Sequence, residues 1–162
     1  MKSIKVGIMG AHGTGKTLLA MSLAADFKKS YPDVQVGIVS EIARDCPFPV
    51  NKETSVEAQL WIYHAQMKAE LEMSKKNTII VCDRTVLDGL AYARAAGFME
   101  MFEEYFYIAL NWLDTYDEIC WRRPKDAIAD DGFRDIDPVF QSRIDLIIEQ
   151  WVKRYTITAE TI

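Results

Sequence analysis

The segment from Gly10 to Thr17 reads Gly-Ala-His-Gly-Thr-Gly-Lys-Thr and matches the pattern G-x-x-x-x-G-K-[S/T] at every fixed position. An apolar run, residues 4–9, precedes this loop, and a helical pattern of apolar residues follows it. A strand that enters a helix through such a glycine loop turns its backbone N–H groups towards a bound phosphate. The segment therefore predicts an α/β fold with a phosphate-binding loop, the P-loop.

Each residue type in this loop has a chemical reason. The glycines let the backbone pass close to phosphate oxygens, Lys16 places a charge near the β- and γ-phosphates, and Thr17 offers a hydroxyl to magnesium. His12 occupies a variable position, so its ring is expected to face solvent rather than to act. We expect ATP as the nucleotide, with GTP as the alternative, together with Mg2+. The predicted nucleotide-binding residues are Gly10, Ala11, His12, Gly13, Thr14, Gly15, Lys16, Thr17 and Leu18.

Strands and helices are predicted to alternate along the rest of the chain. Apolar runs predict strands at residues 4–9, 34–39, 78–82, 118–121 and 155–158, and helical periodicity predicts helices at 16–30, 54–74, 85–95, 99–113 and from 137. Thr54 and Glu57 have the spacing of a capping box. The pattern predicts one three-layer α/β domain, residues 1–162, with a mainly parallel sheet.

Composition limits the classes of partner. The chain has 162 residues, 49% of them hydrophobic, and a net charge of −5, which favours a globular core and disfavours general nucleic-acid binding. No apolar stretch approaches the roughly 20 residues of a membrane span.

Cys46, Cys82 and Cys120 are few and scattered, which indicates a reducing compartment without a disulfide framework. Since no signal-peptide pattern opens the sequence, we expect the cytoplasm.

Two acidic residues stand where predicted strands end. Because ligands of parallel sheets bind beyond the carboxyl ends of the strands, Glu41 and Asp83 are expected beside the phosphate loop. Asp83 has the position of a magnesium-binding acid. Glu41 is either a general base for a substrate hydroxyl or an acid with a structural or substrate-binding role. Arg44 and Arg84 are expected to hold substrate or the transferred phosphate.

The residue after Asp83 bears on the type of reaction. Motor and AAA-type ATPases usually have a glutamate there that activates water, whereas this chain has Arg84. The sequence therefore favours phosphoryl transfer to a bound acceptor over hydrolysis as the main reaction.

Residues 122–135 concentrate positive charge in an otherwise acidic chain. Arg122, Arg123 and Arg134 fall within this polar segment, which predicts a lid that closes over the phosphates. The alternative is a solvated loop in which these charges pair with the interspersed aspartates.

Several of these residues together resemble a known family. The elements are the phosphate loop, Glu41-x-x-Arg44, Asp83-Arg84-Thr85 followed by Leu87-Asp88-Gly89-Leu90-Ala91-Tyr92-Ala93, and Asp130-Asp131-Gly132-Phe133-Arg134. In this order they resemble the AAA_28 or NadR-like group, P-loop proteins similar to ribosylnicotinamide kinase domains. The Asp-Arg-Thr element is also similar to an element of deoxynucleoside kinases.

The resemblance implies a nucleotide-kinase-like fold with a five-stranded parallel sheet in the order 2-3-1-4-5. It implies an ATP-dependent kinase that phosphorylates a nucleoside- or nucleotide-like small molecule, in which Glu41 acts as the base. The alternative is a nucleotide-dependent regulatory ATPase or switch that acts with a protein partner; a homodimer fits either reading. The predicted catalytic residues are Lys16, Glu41, Asp83, Arg84, Arg122 and Arg134, and the predicted metal ligands are Thr17 and Asp83.

The acceptor is expected between Glu41, the proline-containing residues 47–49, the helix over residues 54–74 and Asp83-Arg84. Candidate residues for stacking a base are Phe48, Trp61 and Tyr63, and candidates for reading its edge are Gln59 and Gln66. Helical aromatic residues more often fill cores, which is the alternative for these rings.

Overall fold

The computed structural model describes residues 2–125, 132 and 135–161 of the chain. The strands are β1 (Ile4–Met9), β2 (Val36–Val39), β3 (Ile79–Asp83), β4 (Glu118–Trp121) and β5 (Glu160–Thr161). The helices are α1 (Lys16–Ser30), α2 (Val56–Ser74), α3 (Val86–Ala95), α4 (Met99–Leu113) and α5 (Pro138–Arg154), with 3₁₀ turns at Ile42–Asp45 and Asn51–Glu53.

The five strands form one parallel sheet in the order β2-β3-β1-β4-β5, which confirms the predicted fold class and strand order. In the register of the central strands, Ile8 lies beside Asp83 and Met9 beside Trp121. The carboxyl ends of β1, β3 and β4 therefore meet at one edge, where the phosphate loop begins.

Helices cover both faces of the sheet. Because successive strand residues point to opposite sides, Val6 and Ile8 pack with Ala20 and Ala24 of α1. Ile80 and other residues of alternate register pack on the other side, in a larger apolar cluster with residues of α2, α3, α4 and α5. The sequence reads as near-continuous apolar runs because both faces of these strands are buried.

Predicted boundaries are wrong at the last strand, at the start of α2 and at the start of β2. The last strand is β5 and not residues 155–158, because the N–H groups of Tyr155 and Ile157 bond to the carbonyls of Trp151 and Val152 and so close the end of α5. Pairing with β4 starts only at Glu160.

The second correction concerns the start of α2. Ser55, and not Thr54, caps this helix by accepting a hydrogen bond from the Ala58 N–H at 3.2 Å. The Thr54 hydroxyl instead accepts a hydrogen bond from Gln59 Nε2 at 2.8 Å. In the turn after α1, the Val34 N–H is bonded back to the Tyr31 carbonyl, so β2 begins at Val36 and not at residue 34.

Cys46, Cys82 and Cys120 are free thiols, as their spacing predicted. Among the described residues, no helix combines the length and apolar character needed to cross a membrane.

Candidate active site

The phosphate loop joins β1 to α1, as predicted, and its glycines adopt conformations that other residues rarely take. Gly10, Gly13 and Gly15 have φ of 149°, 70° and 80°. A Cβ atom at Gly10 would lie 2.2 Å from the backbone oxygen of Arg122, so the loop passes directly against the end of β4. Only glycine allows this approach.

The ring of His12 is buried, and the expectation that it faces solvent is wrong. The residue is 1% exposed, its Nδ1 lies 2.8 Å from the Tyr92 hydroxyl, and its ring centroid is 5.5 Å from that of Phe140. Tyr92 belongs to α3 and Phe140 to α5. These two helices enclose the variable part of the loop. Their contacts with His12 cannot be predicted from the sequence of residues 10–17 alone.

Two polar side chains outside the predicted site residues hold the loop backbone. Asp88 Oδ1 accepts the Gly10 N–H at 2.9 Å, and its Oδ2 accepts the Thr85 N–H at 2.7 Å. Gln141 Nε2 donates to the His12 carbonyl at 2.7 Å. Asp88 could have been found from its spacing after Asp83-Arg84-Thr85, whereas Gln141 carries no local signal.

Lys16 points into its own loop. Its Nζ donates to the Ala11 carbonyl and, at 3.3 Å, to the Thr14 hydroxyl. Burial, aided by the charge of Arg84, lowers the pKa of Lys16 to about 7. Leu18, in contrast, is 75% exposed on the first turn of α1.

The predicted metal ligands Thr17 and Asp83 lie close together at the ends of α1 and β3. Asp83 is 2% exposed, and neither of its oxygens has a hydrogen-bond partner of normal geometry among the described residues. Burial raises the pKa of this carboxyl, and the nearby Thr17 hydroxyl and Arg84 and Lys16 charges oppose the shift. A buried carboxylate beside a hydroxyl offers hard oxygen ligands, so the donor set fits magnesium.

Glu41 and Arg84 form an ion pair at the ends of β2 and β3. Glu41 Oε1 accepts hydrogen bonds from Arg84 Nη2 and Nε at 2.5 and 2.9 Å, and Oε2 accepts one from Arg44 Nε at 3.0 Å. Burial disfavours the Arg84 charge, but Tyr92, Glu41 and Asp88 outweigh it and raise its pKa. Sequence reasoning placed Glu41, Arg44 and Arg84 in one crevice, and the structure brings them together.

A cavity adjoins this pair, and it lies where the acceptor was expected. It is lined by residues of the phosphate loop, the β2 end, both 3₁₀ turns, α2, the β3 end and α3: His12, Glu41, Ala43, Val50, Asn51, Gln59, Ile62, Arg84, Gly89 and Tyr92.

The cavity's aromatic ring comes from Tyr92 and not from the predicted Phe48, Trp61 or Tyr63. Tyr63 packs in the core edge-on to Tyr105. Of the two predicted glutamines, Gln59 lines the cavity, whereas Gln66 Nε2 donates to Glu70.

The arginines after β4 diverge. Arg122 Nε donates to the Thr14 carbonyl at 3.0 Å, so its side chain lies along the phosphate loop. Arg123 stacks on Trp121 and pairs with Asp145 of α5 at 2.6 Å, away from the loop. Arg134 lies outside the described residues.

The model of the AAA_28 family, described as an AAA domain, matches residues 5–162. The chain belongs to the AAA_28 family. No curated protein matches it.

Two kinases of known structure are similar to this AAA_28 chain. Deoxyadenosine kinase from M. mycoides with bound dATP has a TM-score of 0.67 at 18% identity, and the match covers 98% of this chain and 90% of the kinase chain. Thymidylate kinase from Ehrlichia chaffeensis has a TM-score of 0.69 at 16% identity, and the match covers 100% of this chain and 93% of the kinase chain. At such identities the likeness shows the fold: a P-loop nucleoside- and nucleotide-kinase-like α/β domain.

Proposed function

We propose that this chain is a kinase that transfers the γ-phosphoryl group of MgATP to a nucleoside- or nucleotide-like acceptor. The observation that carries the proposal is the buried Glu41–Arg84 pair, which lines a cavity shared with His12 of the phosphate loop. A carboxylate and a guanidinium placed between a triphosphate loop and a second cavity suit transfer between two bound molecules.

On the nucleotide side, the amides of the loop and Lys16 hold the phosphates. Thr17 and Asp83 would hold magnesium, which supplies positive charge to the β- and γ-phosphate oxygens when bound. Arg122 already lies along the loop through its bond to the Thr14 carbonyl, so of the two described arginines after β4 it is the one placed to contact phosphate.

On the acceptor side, Glu41 takes the proton of the acceptor hydroxyl. The hydroxyl oxygen bonds to the γ-phosphorus, the bond from phosphorus to the bridging oxygen breaks, and ADP leaves. Protonation of Glu41 weakens its hold on Arg84, which frees the guanidinium to neutralise the transferred phosphoryl group.

Gln59 is suited to recognise part of the acceptor. Its Nε2 is held by the Thr54 hydroxyl, and its Oε1 is buried without a hydrogen-bond partner among the described residues. In this orientation of the amide, the carbonyl oxygen lies near Gly89 of the cavity lining. An N–H group on the acceptor would satisfy it.

Two further facts support transfer over hydrolysis. Arg84 follows Asp83 where a water-activating glutamate would stand. Deoxyadenosine kinase and thymidylate kinase, named for nucleoside and nucleotide acceptors, share the fold over nearly their whole length.

Glu41→Gln tests the proposal. Removing a general base lowers transfer by about 10²- to 10⁴-fold, while the affinity for ATP, whose phosphates contact the loop, stays within about twofold. Glu57→Gln, at an exposed position of α2, is the matched control and leaves both quantities unchanged. Unchanged nucleotide turnover in Glu41→Gln, together with a protein partner that binds one nucleotide state, would favour the regulatory ATPase instead.

A further inference from the structure

The backbone at Arg84 has an unusual conformation for a residue with a side chain. Its φ is 109°, in the left-handed region, which costs free energy in any residue other than glycine. The bonds to Glu41 fix the guanidinium but leave the carbonyl of Arg84 to other partners. Some contact has to hold this peptide for the side chain to reach Glu41.

Gln66 of α2 makes a contact to that carbonyl. Its Nε2 donates to the Arg84 oxygen at 3.3 Å and to Glu70 Oε1 at 2.9 Å. Gln66 is 3% and Glu70 is 0% exposed. An amide nitrogen carries two N–H groups, so one side chain serves both acceptors and its orientation is defined.

Glu70 is itself fixed by three further donors, from β1, α4 and the turn before β4. Lys5 Nζ of β1 and Trp112 Nε1 of α4 both donate to Oε2 at 2.8 Å. The Tyr116 hydroxyl, just before β4, donates to Oε1 at 2.6 Å. The Lys5 ammonium also lies 4.3 Å from the centroid of the Tyr116 ring. A fully buried carboxylate with four donors is held rigidly relative to the sheet.

We propose that Gln66, anchored on Glu70, is a positioning residue that holds the Arg84 peptide so that its guanidinium faces Glu41 and the acceptor cavity. The effect on turnover rests on the proposed function; the effect on Arg84 does not. If the network served stability alone, Gln66 would only need to donate to Glu70. Its second N–H instead donates to the carbonyl of the strained Arg84 peptide.

The test compares Gln66→Met with Tyr116→Phe. Each removes one donor to Glu70 Oε1, but only Gln66→Met also removes the bond to the Arg84 carbonyl. The readout is the ¹H–¹⁵N NMR signal of Arg84 Nε–H, assigned with Arg84→Lys. We expect Gln66→Met to shift this signal and speed its exchange with water, while Tyr116→Phe leaves it in place.

Turnover provides the second readout. Gln66→Met should lower kcat by about 10- to 100-fold and change KM for ATP by less than about twofold, because misplacement affects the reacting groups and not the phosphate loop. Tyr116→Phe should retain kcat within about threefold.

Two outcomes would overturn the proposal: an unmoved Arg84 signal in folded Gln66→Met, or equal displacement of the signal in both variants. If Gln66→Met does not fold, Gln66→Asn, whose shorter amide cannot span both acceptors, takes its place with the same expectations. If the unmodified chain phosphorylates no acceptor, the proposed function fails, and the Arg84 signal still decides whether Gln66 positions it.

Discussion

Lys16 is the residue whose burial has the clearest consequence for pH. Its folded pKa of about 7 lies below the ordinary 10.5, so the unfolded chain holds a proton that the folded chain has lost between these pH values. The free energy of unfolding of the free chain should therefore rise as pH increases from about 7 towards 10 through this group. Replacing Lys16 with Met should flatten that rise in urea denaturation.

Nucleotide binding should reverse the deprotonation of Lys16. A bound triphosphate favours the ammonium form, so at pH 8 binding should take up about one proton per chain. Calorimetric titration with ATP in two buffers of different ionisation enthalpy measures this uptake. Lys16→Met should show none. Equal uptake in both proteins would mean that another group takes the proton.

Asp88 is expected to hold the phosphate loop to the β3–α3 turn. In Asp88→Asn one carboxylate oxygen becomes an NH₂ group, which must face either the Gly10 N–H or the Thr85 N–H and cannot accept from it. We expect a loss of about 1–3 kcal/mol in the free energy of unfolding and weaker nucleotide binding. Urea denaturation and ATP titration measure the two effects. Asp114→Asn, at an exposed position, is the control, and equal losses in both variants would contradict this role.

For individual residues, the sequence predicted which side chains belong to the site better than it predicted their burial and contacts. Lys16, Glu41, Asp83 and Arg84 were found because their types and their places at strand ends carry the signal. The burial of His12 was missed because it depends on Tyr92 and on α5, about 80 and 130 residues further along the chain. Gln141 was missed for the same reason.

Among the elements, the segment after β4 separates two neighbouring arginines. Arg122→Ala should lower phosphoryl transfer by about tenfold or more, since its side chain lies along the phosphate loop. Arg123→Ala should leave transfer within about threefold and lower the free energy of unfolding by about 1–3 kcal/mol, because the truncation leaves the buried Asp145 carboxylate without this partner. Steady-state kinetics and urea denaturation compare them. A larger loss of transfer in Arg123→Ala would contradict this assignment.

The predicted boundaries of strands and helices agree with the observed ones where a strong local sequence signal marks them. The strand and helix flanking the phosphate loop were predicted at their observed limits because a glycine loop separates them. The strand predicted at residues 155–158 was wrong because backbone bonds to the last turn of α5 take those residues, and a two-residue edge strand leaves almost no pattern.

For the whole molecule, the order β2-β3-β1-β4-β5 follows from a resemblance and not from periodicity. Alternating strands and helices predicted a parallel sheet, but several strand orders satisfy that pattern. The observed order places the ends of β1, β2 and β3 side by side, which brings Lys16, Glu41 and Asp83-Arg84 around one crevice. The identity of the acceptor has no comparable signal in the sequence.

The destination of the γ-phosphoryl group distinguishes a kinase from an ATPase. The chain is incubated with MgATP and, in turn, nucleosides including nicotinamide riboside and nucleoside monophosphates, and ³¹P NMR follows the products. If the chain is a kinase, we expect at least one acceptor to gain a phosphoryl group, and the amount of phosphorylated acceptor to equal the amount of ADP formed. Inorganic phosphate as the sole new product, released at the same rate with and without every acceptor, would contradict it.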